Sequence, residues 1–431
     1  MKVYHSRLYL QTAGKLSIIL PMKIWMKYTI GIVIGIMLTL IFPFKSETSL
    51  TLLNFCSDLF IHFGRFIILP LLFFTASTAW FTLRDEKRLL RTFLWTAGVI
   101  IAASLLLTVF GLITALMIHL PKIPMSIENS TEIPTLNLQE LILKLFPYSG
   151  FSSILEDSYL LPCFVFAGFA GFAAAAEKND SKAAVSVFTS FAEICWTILR
   201  FFTEIFSIGM IALTCRWLLN FIPLWNSGIF KSLIKMLTVD LLIITFVIYP
   251  ITLKLTCPEA KILKVLYSCI APFFTAFVTG DSNISYSVNM RHGRESLGIK
   301  SELARFSFPM FSIFSRGGSA LITTICFIQI NRFYSGSYGI PFSDVLWIGA
   351  SAFLLSFVLA ELPAGGAFFA ITILCSMKGS GFTAGYLLLK ETAPVVCCFA
   401  AGIDAVTAMF GNYIIAYKTK LLHSVEIKKF I

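Results

Sequence analysis

The sequence predicts an all-α, multi-pass membrane protein, and three observations carry that prediction. The 431 residues are 57% hydrophobic and only 13% charged, about half the charged share of a soluble domain. Apolar runs near the roughly 20 residues that a spanning helix needs recur along the chain. Lys and Arg gather in the short loops between these runs, the pattern that orients membrane helices. The net charge of +11 therefore reports topology rather than a nucleic-acid partner.

The first spans are expected at 24–44, 50–81 and 93–118. No short apolar core with a small-residue cleavage site precedes them, so the first span is expected to be retained. The second and third flank the basic turn Arg84-Asp85-Glu86-Lys87-Arg88, extended by Arg91. The segment Pro121 to Asp157 is polar, carries Glu128, Glu132 and Glu140, and is poor in Lys and Arg. It reads as an outer loop with a short amphipathic helix at Leu136–Leu145, and it contains the formal sequon Asn129-Ser130-Thr131. The span 160–176 holds Gly168, Gly171 and Ala173 to Ala176, small residues that permit close helix contact. Spans at 185–216 and 232–254 complete a group of six. Gly31 and Gly35 in the first span form a G-x-x-x-G pair, read as ordinary close packing. Ten scattered cysteines without a C-x-x-C pair read as free, buried thiols. With both termini inside, the basic residues fall mostly on the inner side.

Beyond Pro258 the apolar segments shorten or break. A hairpin is expected at 262–292, a helix at 302–330, a second hairpin at 345–377 and a helix at 385–417. The hairpin breaks are Thr279-Gly280-Asp281-Ser282-Asn283 and Glu361-Leu362-Pro363-Ala364-Gly365-Gly366. Each following helix carries its own polar interruption, Ser315-Arg316-Gly317-Gly318-Ser319 and then Gly402-Ile403-Asp404. Irregular backbone survives at membrane depth only where protein or a water-filled cavity surrounds it. Paired breaks in corresponding halves of a domain point to a solute-binding site. Nothing in the sequence suggests an enzyme: it has no metal triad, nucleophile elbow or Walker loop.

Several strings, in order, resemble the dicarboxylate/amino acid:cation symporters, the glutamate-transporter family. They are Ala276-Phe277-Val278-Thr279, Met290-Arg291, Phe306-Ser307-Phe308-Pro309, Gly318-Ser319-Ala320-Leu321, Pro363 and Gly402-Ile403-Asp404-Ala405, with Arg65 and Pro70 upstream. The resemblance covers nearly the whole chain and implies eight transmembrane helices with two re-entrant hairpins. It also implies a homotrimer in the plasma membrane, an elevator-like movement, and small organic anions or amino acids as substrates. Residues 1–257 would hold the scaffold helices with part of the transport domain, 258–420 the core transport region, and 421–431 a cytoplasmic tail.

The departures concern coupling. Where the family carries an acidic sodium ligand in its seventh helix, this chain has Gly317. By register from Asp404, the family's amino-group Asp, selectivity residue, Asn and second sodium-binding Asp fall on Ala408, Gly411, Ile415 and Thr419. In the third helix its sodium-site hydroxyls fall near Ala103 and Ser104. Sodium wants oxygen ligands, and carboxylates offset its desolvation, so a sodium-coupled mechanism through these positions loses its basis. Arg316 stands out instead. A charge within a membrane segment faces a partner or a cavity, here Asp281, Glu361 or Asp404. Its guanidinium stands in for a bound cation or grips a substrate carboxylate; the plainer reading is a buried Arg paired for packing. Ser282, Asn283, Ser285, Ser319, Pro363 and Gly365 complete the expected substrate site. Ser315, Ser356, Ser104, Asp404 and Glu361 are the candidates for a coupling ion, Glu361 as a proton carrier at a gate. The rival readings are an uncoupled or proton-coupled facilitator or exchanger, and a sensor or scaffold that kept the fold. The partners expected are a small-molecule substrate and lipid, with no nucleic acid.

Overall fold

The computed structural model describes residues 22–42, 44, 46–118, 143, 145–155, 160–335, 339–358, 366–379, 382–426 and 430–431. Helices account for nearly all of them, and no strand occurs among them. The first half contains α1 (Ile24–Ile41), α2 (Glu47–Phe66), α3 (Ile68–Asp85), α4 (Leu89–Met117), α5 (Leu160–Ala176), α6 (Lys182–Ser227), α7 (Lys231–Ile243) and α8 (Tyr249–Thr256). A wide π turn, Ile244–Ile248, joins α7 to α8. The second half contains α9 (Ile262–Thr279), α10 (Ser282–His292), α11 (Ser301–Phe314), α12 (Gly317–Ser335), α13 (Phe342–Val358), α14 (Gly366–Lys378) and α15 (Ala393–Lys418).

The expected spans appear with informative differences. The run at 50–81 is two helices, bent at Ile67. Pro70 is responsible, because its ring removes one N–H and crowds the carbonyl a turn earlier. The span at 185–216 extends to Ser227 and carries Pro223 inside it. The interruption expected at Gly402-Ile403-Asp404 is absent: α15 runs unbroken through it. There Gly402 serves packing, since a Cβ on it would lie 2.9 Å from the ring of Phe273. The irregular stretch comes earlier, as the 3-10 segment Phe382–Thr392. The tip of the second hairpin, with Glu361, Pro363 and Gly365, lies outside the described residues, as do the sequon and most of the segment at Leu136–Leu145. All ten cysteines are free, and nine of them are buried.

The helices pack in two groups. α1 and α2 lie along α6, and α3 lies on α5 and α6. In the other group α12 is the hub, touching α4, α13, α14 and α15, while α9 packs along α15. The centre is here: an 18-residue window of the span 301–334 is 94% buried and one of 385–418 is 89% buried, against 28% for α1. A lipid-facing helix needs no such burial, and α1 exposes Ile30, Val33, Met37 and Leu40.

Glycines set the closest approaches. A Cβ on Gly31 would lie 2.6 Å from the carbonyl oxygen of Ser207, and one on Gly35 would lie 2.7 Å from that of Ile211. The G-x-x-x-G pair thus serves packing within the chain, against α6.

The two groups meet across a charged seam. One face of α6 presents Glu193, Trp196, Arg200 and Glu204, spaced three or four residues apart as a helical stripe requires. Opposite them, Arg305 pairs with Glu193, and the Arg294 guanidinium lies 3.8 Å from the Trp196 ring centre. Glu295 pairs with Arg200 at 3.1 Å, and Arg291 pairs with Glu204 at 3.0 Å. Lys27 of α1 also reaches Glu204.

Replacing Gly35 by Leu is expected to lower stability by about 1–3 kcal/mol through overpacking against α6. Ile34→Leu, on the exposed face, is expected to be neutral. Thermal unfolding of the two purified variants in detergent measures the difference, and equal midpoints would refute the close α1–α6 contact.

Candidate functional site

The first hairpin turns where its sequence changes character. α9 ends at Gly280, whose φ of +67° is a left-handed conformation that glycine adopts without strain. Asp281 follows as the N-cap of α10, its Oδ1 accepting the Asn283 N–H at 2.8 Å. Its Oδ2 accepts a 2.8 Å bond from Arg65 of α2. Asp281 is 2% exposed, so both carboxylate oxygens are satisfied in the interior by a helix terminus and a guanidinium. The partners are 216 residues apart in sequence.

The break between α11 and α12 sits beside this tip. Phe314 ends α11, Ser315 leaves helical geometry, and the Arg316 carbonyl accepts the Ala320 N–H that opens α12. The Arg316 side chain turns toward the hairpin: one Nη donates to Ser282 Oγ, and the other to Asn283 Oδ1 at 2.8 Å. Ser312 donates to the same amide oxygen at 3.3 Å. Among the described residues Arg316 is therefore held by two neutral side chains rather than by a direct carboxylate pair, although the charges of Asp404 and Asp281 both act on it. Of the expected partners, Asp281 is engaged by Arg65 and Asp404 caps α12, while Glu361 lies outside the described residues. The Asp404 carboxylate accepts the Gly318 N–H at 2.7 Å, where a helix N-terminus favours negative charge. Gly318 is required for this approach, since a Cβ there would lie 2.4 Å from the Ala400 carbonyl oxygen.

Gly280, Asp281, Ser282, Arg316, Ser319, Cys397, Ala400 and Asp404 converge on a cavity of about 10 Å³, the space of one water. Three polar atoms nearby, Arg316 Nε, Ser315 Oγ and Asp404 Oδ2, are buried without a hydrogen-bond partner among the described residues. A larger crevice of about 410 Å³ adjoins the cavity, sharing Gly280 and Cys397 with it. Leu213, Trp217 and Asn220 of α6 form its other wall.

Other expected site residues lie elsewhere. Ser285 donates to the Ser282 carbonyl at 2.7 Å, and Ser356 to that of Phe353 at 2.6 Å. Both bond their own helix. Ala408 and Gly411 are buried in α15 below the cavity lining, and a Cβ on Gly411 would meet Phe311 at 2.3 Å. Cys397 and Ala400, which line the cavity, carried no signal in the sequence. The Arg65–Asp281 pair did: each is a charge at membrane depth that needs a counter-charge.

This geometry accompanies a sequence match along almost the full chain. The family model described as the Sodium:dicarboxylate symporter family matches residues 20–416. The chain belongs to this family. No curated protein matches it. A member of the sodium:dicarboxylate symporter family is a multi-pass membrane protein of a transporter family, and eight helices here are long and apolar enough to span a membrane among the described residues.

At the two positions where the resemblance implies acidic sodium ligands, this symporter-family member has Gly317 and Thr419. A Cβ on Gly317 would lie 2.8 Å from Leu107 and 3.0 Å from the Ser104 backbone, so packing fills the space beside it. The Thr419 hydroxyl donates to the Ile415 carbonyl at 2.7 Å.

Arg65→Met leaves the Asp281 carboxylate buried without a counter-charge and is expected to cost about 3–5 kcal/mol. Arg65→Met combined with Asp281→Asn is expected to recover most of that loss. Thermal unfolding of the single and double variants closes the cycle, and additive losses would show that the two groups do not interact.

Proposed function

We propose that this protein is a secondary transporter that moves a small organic anion across the plasma membrane, with Arg316 as a fixed cation where relatives of the family's name bind sodium. The observation that carries this reading is the placement of Arg316. Its guanidinium borders the cavity where the hairpin tip, the broken helix and Asp404 meet, and its Nε has no partner among the described residues. A carboxylate can take up such a donor in a charge-assisted bond. The absence of an acid at Ala408, where the family places its amino-group ligand, favours mono- or dicarboxylates over acidic amino acids.

The charge balance at the tip favours proton coupling over the other rivals. Arg65, Arg316, Asp281 and Asp404 sum to zero, so an arriving carboxylate brings a charge that nothing there compensates. A proton carried with it restores neutrality. The cavity is too small for a solute, so binding requires the hairpins to open, and the crevice against α6 offers the route. The two packing groups support a scaffold built from α1, α2, α3, α5 and α6, against which the remainder moves as an elevator. The charge pattern of the loops supports cytoplasmic termini, and the family resemblance supports a homotrimer.

Proteoliposomes given labelled mono- and dicarboxylates are expected to show saturable uptake that an inward proton gradient stimulates and that sodium leaves unchanged. Arg316→Met is expected to lower kcat/KM by about 10- to 100-fold, the worth of roughly 1.5–3 kcal/mol for a hydrogen bond to a charged group. Undiminished uptake by that variant would end this reading. Absence of flux for every solute, with a protein partner recovered in pull-down, would establish the sensor or scaffold instead.

A further inference from the structure

Asp240 is a carboxylate that the site described above does not use. It lies in α7, nine residues after Lys231 and so about 14 Å along the helix from that end. It is 1% exposed. Arg65 and a helix N-terminus compensate Asp281, and another helix N-terminus compensates Asp404. Asp240 has no such support. Its one polar neighbour is the Thr114 hydroxyl of α4, whose single proton also reaches the Gly111 carbonyl at 3.3 Å. Oδ2 is buried with no partner among the described residues.

Among the described residues, no ion pair reaches it. α4 brings Thr114. α15, which also packs on α7, carries Asp404, which caps α12, and Lys418 at its far end. Along α7 itself, Lys231 sits over the Trp225 ring and Lys235 is exposed. An ionised carboxylate in such a place would pay most of its desolvation with no return.

The helix is irregular just beyond this residue. The π turn Ile244–Ile248 begins four residues on, and the Ile244 N–H is shared between the carbonyls of Asp240 and Leu241. Pro250 lies a turn further. Its ring displaces the carbonyl four residues back and forces the hydrogen-bond ladder to slip. Single π turns of this kind accompany functional sites in helices.

We propose that Asp240 is a proton-binding site, separate from the hairpin tip, that takes a proton from water onto Oδ2 when buried and returns it to water when α7 shifts at the π turn. The uptake step forms one O–H bond and neutralises the carboxylate, and release reverses it, so no other reactant is required. That this proton travels with a solute rests on the transporter reading. The binding of the proton does not.

Infrared spectra of the purified protein in lipid decide the matter without any substrate. Wild type is expected to show a protonated-carboxyl C=O stretch that shifts in D2O and gives way to carboxylate as the pH is raised. Asp240→Asn, nearly isosteric, is expected to lose that band while eluting as the wild type does in gel filtration, and Asp404→Asn is expected to keep it. Asp240→Glu is expected to retain a displaced band. A spectrum unchanged by Asp240→Asn, or a band from Asp240 that no pH moves, would overturn the proposal. Where uptake is measured, Asp240→Asn is expected to keep flux down a solute gradient and to lose at least tenfold of its stimulation by a proton gradient. Full stimulation in that variant would overturn the coupling role alone.

Discussion

Charge compensation in a dry interior is the constraint on which the centre of this molecule depends. Two guanidinium groups and two carboxylates meet around one hairpin tip, and none is buried without support. Arg65 and the first amides of α10 hold Asp281. The first amides of α12 hold Asp404. Ser282 and Asn283 hold Arg316. The two amide supports depend on irregular backbone, since a continuous helix would leave no amide free to meet a carboxylate. The broken helices and the buried charges therefore explain each other.

The same logic shows why part of the site was legible in the sequence and part was not. The breaks at Gly280 and Arg316 interrupt apolar runs with residues that no lipid-facing helix would carry, so their position followed from the chain alone. Gly402-Ile403-Asp404 gives the same surface signal for a different reason. There the polar group serves a neighbouring helix and the glycine admits an aromatic ring, so α15 continues unbroken. Periodicity cannot separate a residue that breaks its own helix from one that caps another. Partner identity was equally hidden. The need of Arg316 for acceptors was evident, but its choice of a hydroxyl and an amide follows from Arg65 having reached Asp281 first.

Small residues set which helices come closest. Gly318 lets α12 touch the backbone of α15, and Gly111 does the same for α4 against α12, where a Cβ would lie 2.5 Å from Thr324. These contacts leave no gap to open or slide within that group. Gly31 and Gly35 bind α1 to α6 in the same manner. Between the groups the contacts are mixed: the charged pairs along α6 stand beside apolar packing of α3 on α11, where the Trp80 and Phe306 rings lie 5.4 Å apart.

The stripe on α6 has a mechanical corollary. Its acceptors and donors recur at intervals of one helical turn, about 5.4 Å, and its signs alternate between Glu193, Arg200 and Glu204. Displacing the facing surface by a fraction of that pitch strands every ion at once, whereas a whole number of turns offers fresh counterparts to some of them. Were the two surfaces to slide, an interface with that spacing would have detents, a few commensurate positions with poorer ones between.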